Sequence, residues 1–308
     1  MDSRKRESRR SGVGDRYQHQ YRGMPPAKKS PRGRSASPTA SSKRAKSSLV
    51  ALPFKDYAPT ATFMDDMRTI STMWFGKIDG ADHQARLESF YKNQAELYDG
   101  YRVRMLHGRV PMMKRLYVES ERKGQVVMVD LGGGTGANIE FMADAIAEGW
   151  FKRIVVLDLA PSLCDVARKR AAEKWPDVVE VVCGDACNAK EKRLPAAGTC
   201  DVVTMSYTVV MIPDWKAAIR NALRLLRPGG HLCVCDFTVL PDKGQWEVSQ
   251  RFWTKIFATD HVHLNAEHRK FLKEVTEEKF EETSYGGMPY TPPMLKSAWF
   301  AYVGVKRA

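Results

Sequence analysis

The sequence predicts an α/β fold: a mostly parallel seven-stranded sheet with an antiparallel edge strand, a helical lead-in before it and a helical insert after the fifth strand. Three observations predict it. From Val126 onward, short and nearly continuous apolar runs alternate with amphipathic stretches, the pattern of parallel strands covered on both faces by helices. The first of these runs ends in a glycine cluster that opens a helix. After Pro241 the alternation stops, and two short segments near the end, "KFEETSYG" and "WFAYVGVKR", return to the sheet edge, the last one antiparallel.

The 308 residues carry a formal net charge of +13 and are 43% hydrophobic, enough for one ordinary domain with extensions and too apolar for a wholly disordered chain. Residues 1–48 hold 14 Lys/Arg against 3 Asp/Glu, whereas the rest of the chain holds 35 against 33. The basic character therefore belongs to this tail, which weakens any reading of the whole protein as built around a polyanion. "PPAKKSPRGRSASPTASSKRAKSS" has almost nothing to bury and predicts disorder. Its charge suits a nuclear or nucleic-acid tether, a grip on anionic lipid, or a plain solubilising extension. The N-terminus has no apolar signal region, and no stretch approaches the ~18 apolar residues of a membrane helix. Cys164, Cys183, Cys187, Cys200, Cys233 and Cys235 follow no zinc or ferredoxin spacing and read as reduced thiols of a reducing compartment. The expected location is cytoplasmic, at most peripheral on the cytosolic face of an internal membrane.

The elements follow in order. Residues 1–48 form the tail, 49–118 a helical lead-in or lid, and 119–308 the core, including the helical insert 241–280. In the lead-in, Phe63, Met64, Met67, Ile70, Trp74 and Phe75 recur at helical spacing with Asp65, Asp66 and Arg68 between them. That stretch predicts a helix packed on the core, or one acting as a lid or lying on a membrane surface. A second helical stretch runs from about Ala85 to Tyr101. In the core, "VVMVDLGGGTGANIE" reads as a strand, glycines and a helix, "KRIVVLDLAPSLCDVARKRAAEKWP" as strand, turn and helix, and "VVEVVCGDA", "CDVVTMSYTVV" and "HLCVCDFTVL" as the third, fourth and fifth parallel strands. Residues 245–280 read as helical, with Trp246, Phe252, Trp253 and Phe257 as packing residues or the wall of an acyl channel.

The glycine loop carries the main chemical signal. Asp130-Leu131-Gly132-Gly133-Gly134-Thr135-Gly136 follows a strand and precedes a helix, so the backbone can turn sharply and approach a ligand closely. The dinucleotide pattern requires its last glycine at position 137, which is alanine, and no Lys-Ser/Thr follows for a phosphate loop. The second strand ends in Asp158, placed to accept ribose hydroxyls, and Asp185 ends the third strand inside "GDA", within reach of an adenine amino group. Together these features resemble the class I S-adenosylmethionine-dependent methyltransferases, with a Rossmann-like fold, over about residues 126–240 and the closing strands. "DLGGGTG" looks like the first motif of that family, Asp158 its ribose-binding acid, Gly184-Asp185-Ala186 its adenine-side motif, and Leu226-Arg227-Pro228-Gly229-Gly230 the turn before its fifth strand. No Asn/Asp-Pro-Pro-aromatic motif follows the fourth strand, where Ser206-Tyr207-Thr208-Val209 stands instead. This lowers the expectation of a nucleic-acid substrate.

A further resemblance spans roughly residues 75–306. "SFYKNQAELYDGYRVRMLHGR", "LDLAPSLCDVARKR", "SYTVVMIPDW", "RFWTKIFATDHVHLNAEHRKFL" and "YGGMPYTP" are similar to segments of betaine lipid synthases, which make diacylglyceryl-trimethylhomoserine. That resemblance covers only the methylating module. It implies N-methylation of a homoserine lipid headgroup, with S-adenosylmethionine as donor, S-adenosylhomocysteine as product and a partner enzyme supplying the acceptor. The alternatives are N-methylation of another small-molecule or protein amine, and a non-catalytic donor-binding protein. The cofactor-binding residues so implied are Tyr91, Arg109, Asp130, Gly132, Gly134, Gly136, Asp158, Leu159, Asp185, Ala186 and Ser206. Tyr98, Tyr207 and His263 are the catalytic candidates. Tyr91 and Tyr98 share a helical face and either cradle a cation or pack in the core. Arg109 either binds a carboxylate or forms a structural ion pair. Asp260, His261, His263 and His268 have ligand-like composition, yet methyl transfer demands no metal and none is expected.

Overall fold

A computed structural model describes residues 62–75, 80–92, 98–119, 125–240, 247–259 and 262–307. The chain divides into residues 1–49 and 50–308, and all described residues lie in the second unit. The expected disordered tail, Trp246, Asp260 and His261 fall outside the described residues.

The lead-in comprises α1 (Phe63–Phe75), α2 (His83–Tyr91), α3 (Tyr98–Arg102) and α4 (Arg109–Glu119). Helix α1 starts in a reciprocal cap: the Thr62 amide donates to Asp65 at 3.0 Å and the Asp65 amide to the Thr62 hydroxyl at 3.2 Å. Its burial differs from the apolar periodicity. Asp66 and Thr69 are buried, whereas Phe63 and Met64 face solvent. Asp66 tolerates burial because Arg104 and the Tyr290 hydroxyl both donate to its carboxylate. Helix α2 is capped by Asp82, whose carboxylate accepts from the Ala85 amide at 2.8 Å.

The core follows as β1 (Val126–Leu131), α5 (Ala137–Glu140), α6 (Ala143–Ala147), β2 (Phe151–Asp158), α7 (Pro161–Lys174), β3 (Val179–Cys183), β4 (Cys200–Ser206), α8 (Trp215–Leu225) and β5 (Leu226–Phe237). Then come α9 (Glu247–Thr259), α10 (Glu267–Val275), β6 (Glu277–Gly286) and β7 (Ser297–Val305). The seven strands form one sheet in the order β3-β2-β1-β4-β5-β7-β6. Strands β1 to β5 pair in parallel, and β7 runs antiparallel to both β5 and β6. This is a Rossmann-like α/β architecture, mostly parallel with one antiparallel strand. Alternate residues of each strand serve opposite faces: Met128, Ile154 and Val202 pack into one cluster, and Val129, Val155 and Val203 into the other.

Two boundaries differ from the periodicity. The helical insert ends at Val275 rather than 280, because Thr276 turns to an extended conformation and its hydroxyl bonds the Leu272 carbonyl at 2.7 Å. The Leu226–Gly230 segment is the irregular beginning of β5 rather than a separate turn. Its partner residues Cys200 and Val202 face Leu226 and His231, so the intervening residues bulge out around Gly229.

Candidate active site

The site forms where the strand order reverses. The chain moves outward from β1 through β2 to β3 on one side and from β4 to β5 on the other, leaving a crevice beyond the carboxyl ends of the strands. A cavity of about 300 Å³ occupies it, lined by Gly132, Gly134, Asp158, Leu159, Asp185 and Ala186 from the core. His83, Leu87 and Tyr91 of α2, Arg102 of α3 and the segment from Tyr207 to Asp214 complete the wall. Helix α2 is held there by bonds to the start of α7: Glu88 accepts from the Ser162 amide and hydroxyl, both at 3.0 Å, and Gln84 donates to the Leu159 carbonyl.

The glycine loop is shaped by its own backbone. The amides of Gly132 and Gly133 both donate to the Leu157 carbonyl, at 2.7 and 3.0 Å, and the Gly134 amide donates to Asp158 Oδ2 at 2.8 Å. These N–H groups are spent on β2, so the loop offers close approach of backbone rather than an anion cradle. Gly132 has φ 71°, and a Cβ there would lie 2.1 Å from the Thr208 side chain. Gly134, at φ 57°, borders the cavity directly. Gly136 caps α5 at φ 72° but does not line the cavity; its place is against Ala167 of α7.

Asp158 is the pivot of the wall. One carboxylate oxygen accepts from Gly134 and the other from the Ala160 amide at 3.0 Å, which fixes the group while leaving a lone pair on each oxygen for the cavity. Burial raises its pKa, against the pull of those two amides. Asp185 is exposed at the rim, where its carboxylate accepts from the Cys187 amide. Ala186 is buried, and its carbonyl accepts from Asn221 at 2.8 Å.

Asp130 is placed differently from its expected role. It is fully buried beneath the loop, accepts from Thr204 at 2.6 Å and Asn138 at 3.0 Å, and lines no part of the cavity. Desolvation lifts its pKa to about 6. Ser206 and Arg109 line a narrow side pocket with Arg102, Asn138 and Gly132–Gly134. Arg109 is buried, reaches Asn138 only at 3.5 Å and sits 5.2 Å above the Phe141 ring. Its Nε has no acceptor among the described residues, and burial, then the nearby Arg102, push its pKa down. A buried guanidinium of this kind suits an anionic group of a ligand entering the side pocket.

Tyr207 is a non-glycine residue at φ 55°, a conformation held by its surroundings. Its amide donates to the Cys235 carbonyl at 2.8 Å, its hydroxyl donates to the His107 carbonyl, and its ring meets Phe237 edge-on at 4.7 Å. The phenol is thus committed as a donor, and burial holds its pKa well above 10; it is a wall, not a base. Tyr98 begins α3, but its side chain lies outside the described residues. His263 is not brought to the cavity: its amide is tied to the Val210 carbonyl at 2.8 Å and its side chain is exposed. His268 packs against Trp215, and desolvation lowers its pKa to about 4.

Residues 129–234 match a family model described as a methyltransferase domain. A ubiquinone/menaquinone biosynthesis C-methyltransferase, UbiE, of Roseobacter denitrificans is 27% identical over 255 residues, which are 76% of this chain and 98% of that protein. UbiE of Ruegeria sp. is 31% identical over 179 residues, 56% of this chain and 68% of the relative. The chain belongs to the class I S-adenosylmethionine-dependent methyltransferases. The solved structure of Haemonchus contortus phosphoethanolamine N-methyltransferase 2 in complex with S-adenosyl-L-methionine shares the fold, with a TM-score of 0.56 at 14% identity over 74% of this chain and 61% of that one. The methyl donor of this methyltransferase is S-adenosylmethionine, and the cavity fits it. Close backbone approach at Gly132 and Gly134 is built in, and Asp158 is oriented with acceptor capacity to spare.

Three elements of the methyltransferase site escape sequence reasoning. Arg102 lines both the cavity and the side pocket. Asp99 accepts from the Thr135 hydroxyl at 2.7 Å and pairs with Arg170 at 2.5 Å, tying α3 to the glycine loop and α7. Thr208 fills the space that a side chain at position 132 would need. Asp99 and Arg170 are 71 residues apart, and no local pattern announces their pairing.

Proposed function

We propose that this methyltransferase methylates the amine of a homoserine-type lipid headgroup to give a betaine lipid. The observation that carries the reading is a second, mainly apolar recess beside the donor cavity. Phe90, Met105, Phe237 and Phe257 line it, and it shares Tyr91, Arg102, Tyr207 and Met211 with the cavity. Aromatic faces at the junction suit a nitrogen that gains positive charge as it is methylated. Arg102 suits the carboxylate that a homoserine headgroup carries beside its amine, and the aliphatic wall suits the lipid beyond it.

When bound, S-adenosylmethionine supplies an electrophilic methyl group on a sulfonium. The chain's contribution is alignment and exclusion of water. Asp158 takes the ribose hydroxyls, Asp185 the adenine edge, and Arg109 the carboxylate of the donor in the side pocket. Tyr91 and Tyr207 confine the acceptor nitrogen, which attacks in its neutral form. Because the Tyr207 hydroxyl is committed as a hydrogen-bond donor to the His107 carbonyl, it serves as no base, and the amine loses its own proton to water before it enters. A second reading, C-methylation of a polyprenyl quinol, is favoured by the UbiE relatives, which are C-methyltransferases of ubiquinone/menaquinone biosynthesis, and by a similar 2-methoxy-6-polyprenyl-1,4-benzoquinol methylase of Caenorhabditis elegans.

Methyl transfer from S-adenosylmethionine to vesicles containing diacylglyceryl-homoserine, phosphatidylethanolamine or a polyprenyl quinol separates the readings by mass spectrometry. Successive methyl increments on the homoserine lipid alone are expected. A single increment on the quinol ring, with the homoserine lipid untouched, would replace the first reading by the second.

A further inference from the structure

The five large apolar side chains exposed among the described residues are Phe63, Met64, Val248, Tyr290 and Met294. They are far apart in sequence, yet the fold gathers the segments that carry them. The Phe63 ring meets Tyr290 edge-on at 5.8 Å. The Ser249 hydroxyl, next to Val248, donates to the Lys296 carbonyl at 2.9 Å, and the Trp253 indole donates to the Leu295 carbonyl, next to Met294. The starts of α1 and α9 and the loop between β6 and β7 thus form one rim.

The rim is turned outward at the expense of polar burial. On α1 it is Asp66 and Thr69 that go inside, with Met64 73% exposed. Arg104 and Tyr290 neutralise Asp66 and hold the helix in that orientation. Exposed Arg68, Lys255 and Lys296 lie on the same three segments. The same segments also flank the recess: α9 contributes Phe257 to its wall, and Met105, beside Arg104, contributes from the α3 side.

We propose that this rim docks on an anionic lipid bilayer, with Phe63, Met64, Val248 and Met294 entering the interface and the basic residues facing the headgroups. Apolar side chains at helix starts and a loop tip, bordered by cations, fit a lipid surface, where burial of apolar area and attraction to negative charge add. This deepens the lipid-acceptor reading and rests on it for its purpose, since docking would set the recess against the leaflet that holds the substrate.

The test is vesicle co-sedimentation of the full chain, with phosphatidylcholine vesicles with and without phosphatidylserine and no acceptor lipid present. Binding to the anionic vesicles that weakens with added salt is expected. The variant Met64→Ser/Val248→Ser/Met294→Ser, which removes no buried contact, should bind at least about tenfold more weakly, with unchanged melting temperature and donor affinity. Equal binding by variant and parent would overturn the proposal. So would failure of the parent to bind, including the case in which it self-associates through the rim instead. Because no turnover is read, vesicle binding by a protein that methylates some other acceptor would sink the functional reading and leave the docking surface standing.

Discussion

The donor cavity and the apolar recess beside it are built by different means. On the donor side the lining comes from residues 132–186, at the ends of three adjacent parallel strands, and main-chain hydrogen bonds set its shape. The recess, the proposed acceptor side, draws on α2, α3, the turn after β4, the end of β5 and α9, from Phe90 to Val262, and side-chain packing sets its shape. A backbone-built wall is intolerant but local. A packed wall is assembled from afar and adjusts by small steps. The two halves should therefore fail separately, which their perturbation can test.

The largest effect is expected at Gly132. Gly132→Val places a side chain on Thr208 in a left-handed conformation, and donor binding by calorimetry should fall by more than about 100-fold. Retained affinity would show that the loop is not backbone-limited.

Next come the two buried acids, one beneath each half. Asp130 lies under the glycine loop with a pKa near 6, and Asp236 lies under the Tyr207–Val210 turn with a pKa near 7. Both are raised by burial from 3.8. Over that window the native state keeps a proton that the unfolded state has released. Stability therefore falls as pH rises from about 4 towards 7, by on the order of 3 kcal/mol per group. Denaturant midpoints measured against pH should flatten up to about 6 in Asp130→Asn and up to about 7 in Asp236→Asn. Unchanged slopes would mean that the two acids are already ionised in the fold at low pH.

Asp158→Ala should weaken donor binding by about 10- to 100-fold, since it removes the acceptor of Gly134 and Ala160 as well as the proposed ribose contact. The acceptor KM should stay within about twofold of the parent if the halves are independent. The smallest effect tests the link between them. Asp99→Asn keeps an acceptor for Thr135 but loses the charge opposite Arg170. Donor affinity and acceptor KM should then both worsen severalfold, by about 1 kcal/mol each. A change in only one of them would place Asp99 within a single half.

Legibility in the sequence follows the same division. Gly132, Gly134, Asp158, Leu159, Asp185 and Ala186, picked out at or near strand ends in the sequence, line the cavity, because parallel pairing leaves little freedom for where a strand end points. Asp130 looks the same in sequence, yet its side chain falls on the inner face of the loop and binds Thr204 and Asn138. His263 carries a reactive side chain on an apolar segment, but its backbone N–H is hydrogen-bonded to the Val210 carbonyl and its imidazole meets water. Arg102 and Asp99 were hidden in a short polar helix with no periodicity to read.

By itself, the sequence determined the order of strands and helices, the glycine turn and the carboxylates at the end of β2 and just past β3, because these depend on local conformation and on alternation along one element. Only the tertiary structure decided that β7 enters between β5 and β6. It also decided that α1 buries an aspartate and exposes a phenylalanine, and that Arg102 and Arg109 converge on one side pocket. Those outcomes depend on which distant side chain supplies a charge, a hydrogen bond or a filled space, as Arg104 and Tyr290 do for Asp66, and pairing across such distances leaves no periodic trace in the chain.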